Sequence, residues 1–130
     1  MFAHDDMAAA NQRPEPLTGQ RLQVAADVLG HLASPTRLHL LTLLAQQAQD
    51  VNSLTDQVEA SRSSVSQHLG RLRMVGLVRT HREGRRMIYR LTSTHLVALI
   101  EEALGFAGHL VHNIPHHDQR TPSPAAPMTR

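Results

Sequence analysis

Two kinds of side chain in this sequence could do chemistry, and they are sorted along the chain. Residues 61–90 hold eight arginines, at 62, 71, 73, 79, 82, 85, 86 and 90, against one acid, Glu83. The chain has no lysine, and its formal net charge is only +2, so the excess is local. Guanidinium groups pair with phosphate through a rigid fork of donors, and their concentration on one segment is the footprint of a nucleic-acid surface. A merely solvated basic face is the plainer reading. Histidine is the second kind. Of ten histidines, five fall between 95 and 117: His95, His109, His112, His116 and His117. Imidazole ligates Zn(II), Ni(II), Co(II) and Cu(II). With no cysteine in the chain, disulfides, thiolate sites and thiol redox sensing are excluded, and a metal would have only imidazole and carboxylate.

Spacing narrows what the histidines could do. His109 and His112 are three apart, so on a helix they share a face. Pro115 is expected to stop that helix and let His116 or His117 fold back. His95 lies fourteen residues before His109, roughly 21 Å along a straight helix. One ion cannot touch both within one chain. Two copies of this helix packed antiparallel would bring His95 of one near His109 of the other, and a metal there would bridge subunits. A nonspecific metal scavenger or an inert tail remains the alternative.

The elements that must position these groups are legible in the pattern. Residues 1–16 and 116–130 (the second Pro-rich and His-containing) read as disordered tails around a folded 17–115. Only Phe2, Tyr89 and Phe106 are aromatic, so the core is built from Leu, Val, Ile and Ala, which favours packed helices. Helical spacing runs from Leu17 to His31. Ser34-Pro35 starts a second helix to about Gln47, apolar on two sides and therefore central. Ser53–Glu59 reads as a short helix capped by Ser53. Ser61 or Ser63 caps the next, to about Met74, with an apolar stripe of Val65, Leu69, Leu72 and Val75 and a polar face of Ser64, Gln67, His68 and Arg71. Two helices joined by a tight turn, the second amphipathic, form a helix-turn-helix. Gly76 ends it. Leu77–Thr80 and Met87–Leu91 are expected as strands around a turn at Arg82–Arg85. Ser93 or Thr94 caps a last helix with Leu96, Leu99, Ile100, Ala103, Leu104 and Ala107 on one side.

The fold class is thus mainly α with a small β-hairpin, a winged helix-turn-helix that dimerises through its first and last helices. No apolar run is long enough to span a membrane, and the N-terminus lacks the pattern of a signal peptide. A cytoplasmic location is expected. No nucleophile constellation, glycine-rich phosphate loop or H-E-x-x-H motif suggests an enzyme.

Three motifs together carry a resemblance: S-x-S-Q-H-L at 64–69, L-x-x-x-G-L-V at 72–78 and G-R-x-x-x-Y-R-L at 84–91. With ASPTRLHLLTLL before them, they resemble the ArsR/SmtB family of metal-responsive repressors over about residues 20–115. The resemblance implies that 61–74 holds the recognition helix, with Ser64, Gln67 and His68 at base edges of double-stranded DNA. Arg62, Ser63 and Ser66 share its first turns, Arg71 and Arg73 suit phosphates, and Arg82, Arg85 and Arg86 place a wing on the backbone or minor groove. It also implies a homodimer on an inverted repeat, released by metal. The family's usual site on the last helix begins Asp-x-His. Here Ser93 replaces the Asp, and the position eleven after His95 is Phe106. The pattern His95, His109 and I-P-H-H at 114–117 is instead similar to the nickel/cobalt-sensing members, so Ni(II) or Co(II) is favoured and Zn(II) possible at His95, His109, His112, His116 and His117. The family's other site needs cysteines, and AQDVNSL at 48–54 has none. A metal-independent repressor is the alternative.

Overall fold

The computed structural model describes residues 16–120, and side chains of residues 16–113. The expected tails, apart from Pro16 and residues 116–120, lie outside the described residues. The chain divides into two units, residues 1–31 and 32–130.

The first helix, α1, spans Gly19–Leu32 and lies in the first unit up to His31. Thr18 begins it, its Oγ1 accepting from the Arg21 amide at 3.1 Å, as a side-chain cap should. Leu22, Val24 and Leu29 along it are exposed.

The second unit opens with α2, Pro35–Gln46. Ser34 caps it, accepting from the Arg37 amide at 3.3 Å, and Pro35 occupies the first turn where its missing N–H costs nothing. Leu40, Leu41, Leu43 and Leu44 are buried, so α2 is the centre its two apolar sides predicted. Each such leucine contributes about 1.5–3 kcal/mol by leaving water. Against α2 pack the last helix and the third strand.

After α2 come β1 (Gln49–Asp50), α3 (Val51–Thr55) and α4 (Arg62–Met74). The expected cap of α3, Ser53, is corrected. Asp50 is the cap, accepting from the Ser53 amide at 2.9 Å, so the helix starts earlier and ends before Glu59. The buried Gln49 has its amide satisfied: it donates to the carbonyls of Leu43 and Gln47, and Gln57 donates to its Oε1 at 2.7 Å. That is the condition for burying such a group.

Helix α4 ends in a Schellman motif. Gly76, at φ 86°, donates to the Arg73 carbonyl, and Leu77 donates to the Leu72 carbonyl at 2.9 Å. Strands β2 (Val78–Glu83) and β3 (Arg86–Leu91) pair antiparallel, Glu83 opposite Arg86. The wing is therefore longer than expected. Its turn is only Gly84-Arg85, with Gly84 at φ 63°, because a two-residue loop with positive φ matches the twist of the strands. β1 pairs with the other edge of β3, giving the order β1-β3-β2.

The last helix, α5, runs Thr94–Arg120. Ser93 starts it, its Oγ accepting from the His95 amide at 3.0 Å. The expected stop at Pro115 is corrected, and with it the fold-back after 115. A proline removes one amide donor and crowds the carbonyl four residues earlier, which bends a helix without obliging it to end. Leu96 and Ile100 enter the core, whereas Leu99, Leu104, Phe106 (66%), Leu110 and Val111 are exposed. No helix among the described residues is long and apolar enough to cross a membrane.

Candidate nucleic-acid interface

Three serines at 61, 63 and 64 compete to cap α4, and Ser61 does so. Its Oγ accepts from the Ser64 amide at 3.0 Å, and Ser63 and Ser66 stay exposed. Val65, Leu69 and Leu72 fix the helix to the core. The expected fourth member of that stripe, Val75, is exposed, since it lies at the helix end where the chain turns out. The side opposite the stripe presents Ser63 and Gln67, both exposed.

His68 and Ser64 lie at the flank and are half-buried. The His68 imidazole is pushed below its usual range by burial, then by the nearby positive charges of Arg37 and Arg71. It is neutral at neutral pH and keeps one donor and one acceptor nitrogen.

Two arginines are held by side chains that sequence reasoning missed. Arg62 Nε donates to Asn52 Oδ1 at 2.8 Å. Arg86 Nε donates to Asp50 Oδ2 at 2.8 Å. The Asp50 carboxyl is held down at about 2, chiefly by the Ser53 amide and then by Arg86, so it is always charged near neutrality. A cleft of about 210 Å³ is lined by Arg62, Arg85 and Arg86 together with Asp50, Val51, Asn52 and Met87. Thus the start of α4 and the tip of the wing, more than twenty residues apart, face one cationic recess. Such a recess can seat a phosphate oxygen while the helix turns beside it offer hydrogen bonds to bases.

A second cleft lies at the far end of α4, where Arg73 faces Arg79 across Gly76, Val78, Thr80 and Thr92. Arg79 stands opposite Arg90 in the hairpin. Like charges so paired are unfavourable on their own, and among the described residues neither has a carboxylate partner. Neither arginine stood among the expected contacts. The cross-strand register, invisible in the sequence, is what juxtaposes them. Arg71 and Arg82 are exposed.

Of the candidate metal ligands, His95, His109 and His112 are exposed on α5. His116 and His117 belong to the same helix, and their side chains lie outside the described residues. Among the described residues, no three His, Asp or Glu side chains of one chain gather as a metal would require. The donor chemistry suits a borderline transition metal.

A capped, polar-faced helix beside an arginine-tipped hairpin defines a winged helix-turn-helix DNA-binding regulator. Residues 34–80 match the family described as bacterial regulatory protein, arsR family. The chain is 40% identical over 108 residues to the HTH-type transcriptional regulator KmtR of Mycobacterium tuberculosis (strain ATCC 25618 / H37Rv), covering 83% of each. It is 37% identical to NmtR, an HTH-type transcriptional regulator of the same strain, covering 77% of this chain and 83% of the relative. Among solved structures, that of apo-NmtR superposes with a TM-score of 0.63 at 36% identity, over 76% of this chain and 83% of that one. HlyU from Vibrio cholerae N16961 superposes with a TM-score of 0.62 at 35% identity, over 66% of this chain and 94% of that one. The chain belongs to the ArsR/SmtB family of transcriptional regulators. Its class is that of DNA-binding proteins, not enzymes.

Proposed function

We propose that this protein is a cytoplasmic homodimeric repressor that holds an inverted-repeat operator in the metal-free state and is released by a transition metal. The observation that carries the DNA part is the shared recess of Arg62, Arg85 and Arg86 beside the polar face of α4. One such reading head makes too few contacts for tight specific binding, and a two-fold pair matched to half-sites one helical turn apart supplies the rest. The exposed apolar residues of α5, with Leu99, Phe106 and Leu110 on one side of the helix, support that pairing, since exposed apolar surface of this kind marks an interaction site.

Ni(II) or Co(II), with Zn(II) as a further candidate, is the effector in this reading, held by His95, His109, His112, His116 and His117. His95 and His109 are about 21 Å apart along one helix, so the ion bridges two copies and biases their relative orientation. That bias is how binding at α5 would alter the spacing of two recognition helices. The second reading is a repressor indifferent to metal, in which the histidines of α5 are solvated side chains. Binding isotherms of the protein on a duplex it selects, with and without Ni(II), Co(II) and Zn(II), separate the two. Metal weakens binding in the first reading and leaves it unchanged in the second.

A further inference from the structure

Four residues form the outward ridge of α4: Ser63, Gln67, Gly70 and Met74, spaced four, three and four apart and all exposed. Two of them are unexpected on a solvated helix. Glycine is the least favourable interior residue after proline, yet Gly70 sits in the third turn. A Cβ at Gly70 would meet nothing within 4 Å, and its φ is not positive. Among the described residues, neither packing nor backbone conformation calls for a glycine there. Met74, next on the ridge, is 86% exposed, the highest value among the exposed large apolar residues described. Both features fit a surface supplied from outside.

We infer that Gly70 is the point of closest approach between α4 and a sugar–phosphate strand of the duplex, and that Met74 lies against the apolar edge of the deoxyribose beyond it. The inference rests on the DNA-binding reading above. Ser63 and Gln67 occupy the first turns, where a recognition helix reaches base edges. Gly70 lies about 10 Å further along the axis than Ser63. The major groove is about 12 Å wide, so a helix entering by its first turns meets the groove wall near this position. That wall is a sugar–phosphate strand, and glycine lets the helix backbone come close to it. Arg71 and Arg73 flank the ridge on either side and supply the charges that hold the same strand.

The test uses the full chain, a duplex selected by the wild type from a random pool, and an unselected duplex of equal length. Gly70→Ala should melt about 4 °C higher, because alanine is the better helix former. It should bind both duplexes about tenfold more weakly, because the strand wall is the same whatever the sequence. Gly70→Leu should bind more weakly still. Met74→Ala should keep the melting temperature and lose affinity for both duplexes. A Gly70→Ala protein that melts higher and binds as the wild type overturns the inference. One that melts no higher returns the glycine to the fold and overturns it equally. Wild-type-like binding by Met74→Ala removes that contact. Should the wild type select no duplex, the DNA-binding reading itself falls. Should it select one that Gly70→Ala holds as tightly, only the present inference falls.

Discussion

Asp50 and Arg86, 36 positions apart, meet in an ion pair of 2.8 Å that ties the first strand of the sheet to the wing. The same carboxylate caps α3 through the Ser53 amide. One side chain therefore fixes the helix before the recognition helix and the strand that follows the wing tip.

The two duties of Asp50 can be separated. Asparagine caps helices as well as aspartate, so Asp50→Asn should retain the cap and lose only the charge pairing with Arg86. Asp50→Ala should cost about 1 kcal/mol more, the usual worth of an N-cap. Denaturant melts of the two variants check this. Because the Asp50 carboxyl is depressed from 3.8 to about 2, its contribution to stability is complete above pH 3.8 and is lost as pH falls through about 2. The acid limb of the stability profile should flatten in both variants.

On DNA, Gln67→Ala should weaken binding to a selected duplex more than binding to random sequence, since a base-edge contact carries discrimination of about 1–3 kcal/mol. Arg85→Ala should weaken both and lower the salt slope by about one. Salt titrations on the two duplexes measure both effects. Equal losses on both duplexes for Gln67→Ala would remove that residue from base reading.

His68 gives a pH dependence of the opposite chemical sense to a paired histidine. Burial and the charges of Arg37 and Arg71 favour the neutral ring in the folded chain, whereas the free ring takes a proton near 6.5. The unfolded state then binds more protons below that value, so stability is complete above it and falls as the solution is acidified through it. Thermal melts between pH 7.5 and 5 (roughly one unit on the alkaline side and somewhat more on the acid side of that value) should slope less steeply for His68→Gln than for the wild type.

For the metal, His95→Ala and His109→Ala should each abolish release of the duplex by Ni(II) or Co(II) while leaving metal-free binding intact. Wild-type affinity for metal should also decline on acidification through the imidazole range, because a protonated ring cannot ligate. Calorimetric titration with each metal, alongside the binding isotherms, supplies both readouts. A wild-type-like response from both variants would rule out the bridging arrangement.

Local chemistry was what the sequence expressed well. Ser34-Pro35 and the glycines at 76 and 84 each act within four residues of themselves and took their expected roles, and Ser61 proved to be the cap where Ser61 or Ser63 was expected. Features that depend on distant partners were not legible. Gln49–Asp50 became a strand only because β3 lies beside it, and Asp50 displaced Ser53 as a cap from a position the helical pattern did not include. Arg82 and Arg86, expected in or beside a turn, are strand residues because a two-residue loop suffices. The same holds for the site. Periodicity placed Gln67 and Arg71 outward correctly but put Ser64 and His68 there too, which are half-buried, and the grip of Asn52 on Arg62 needed the fold to bring the two together.

Thr92 divides its hydroxyl between the carbonyls of Gly76 and Leu77, at 3.0 and 3.3 Å, and its neighbour Ser93 begins α5. Thr92 thus links the start of the long helix to the joint that ends the reading helix. That joint is left-handed, with Gly76 at φ 86°, a conformation glycine adopts without steric penalty. A residue with a side chain there would be strained at that φ and would disturb the seat of α5.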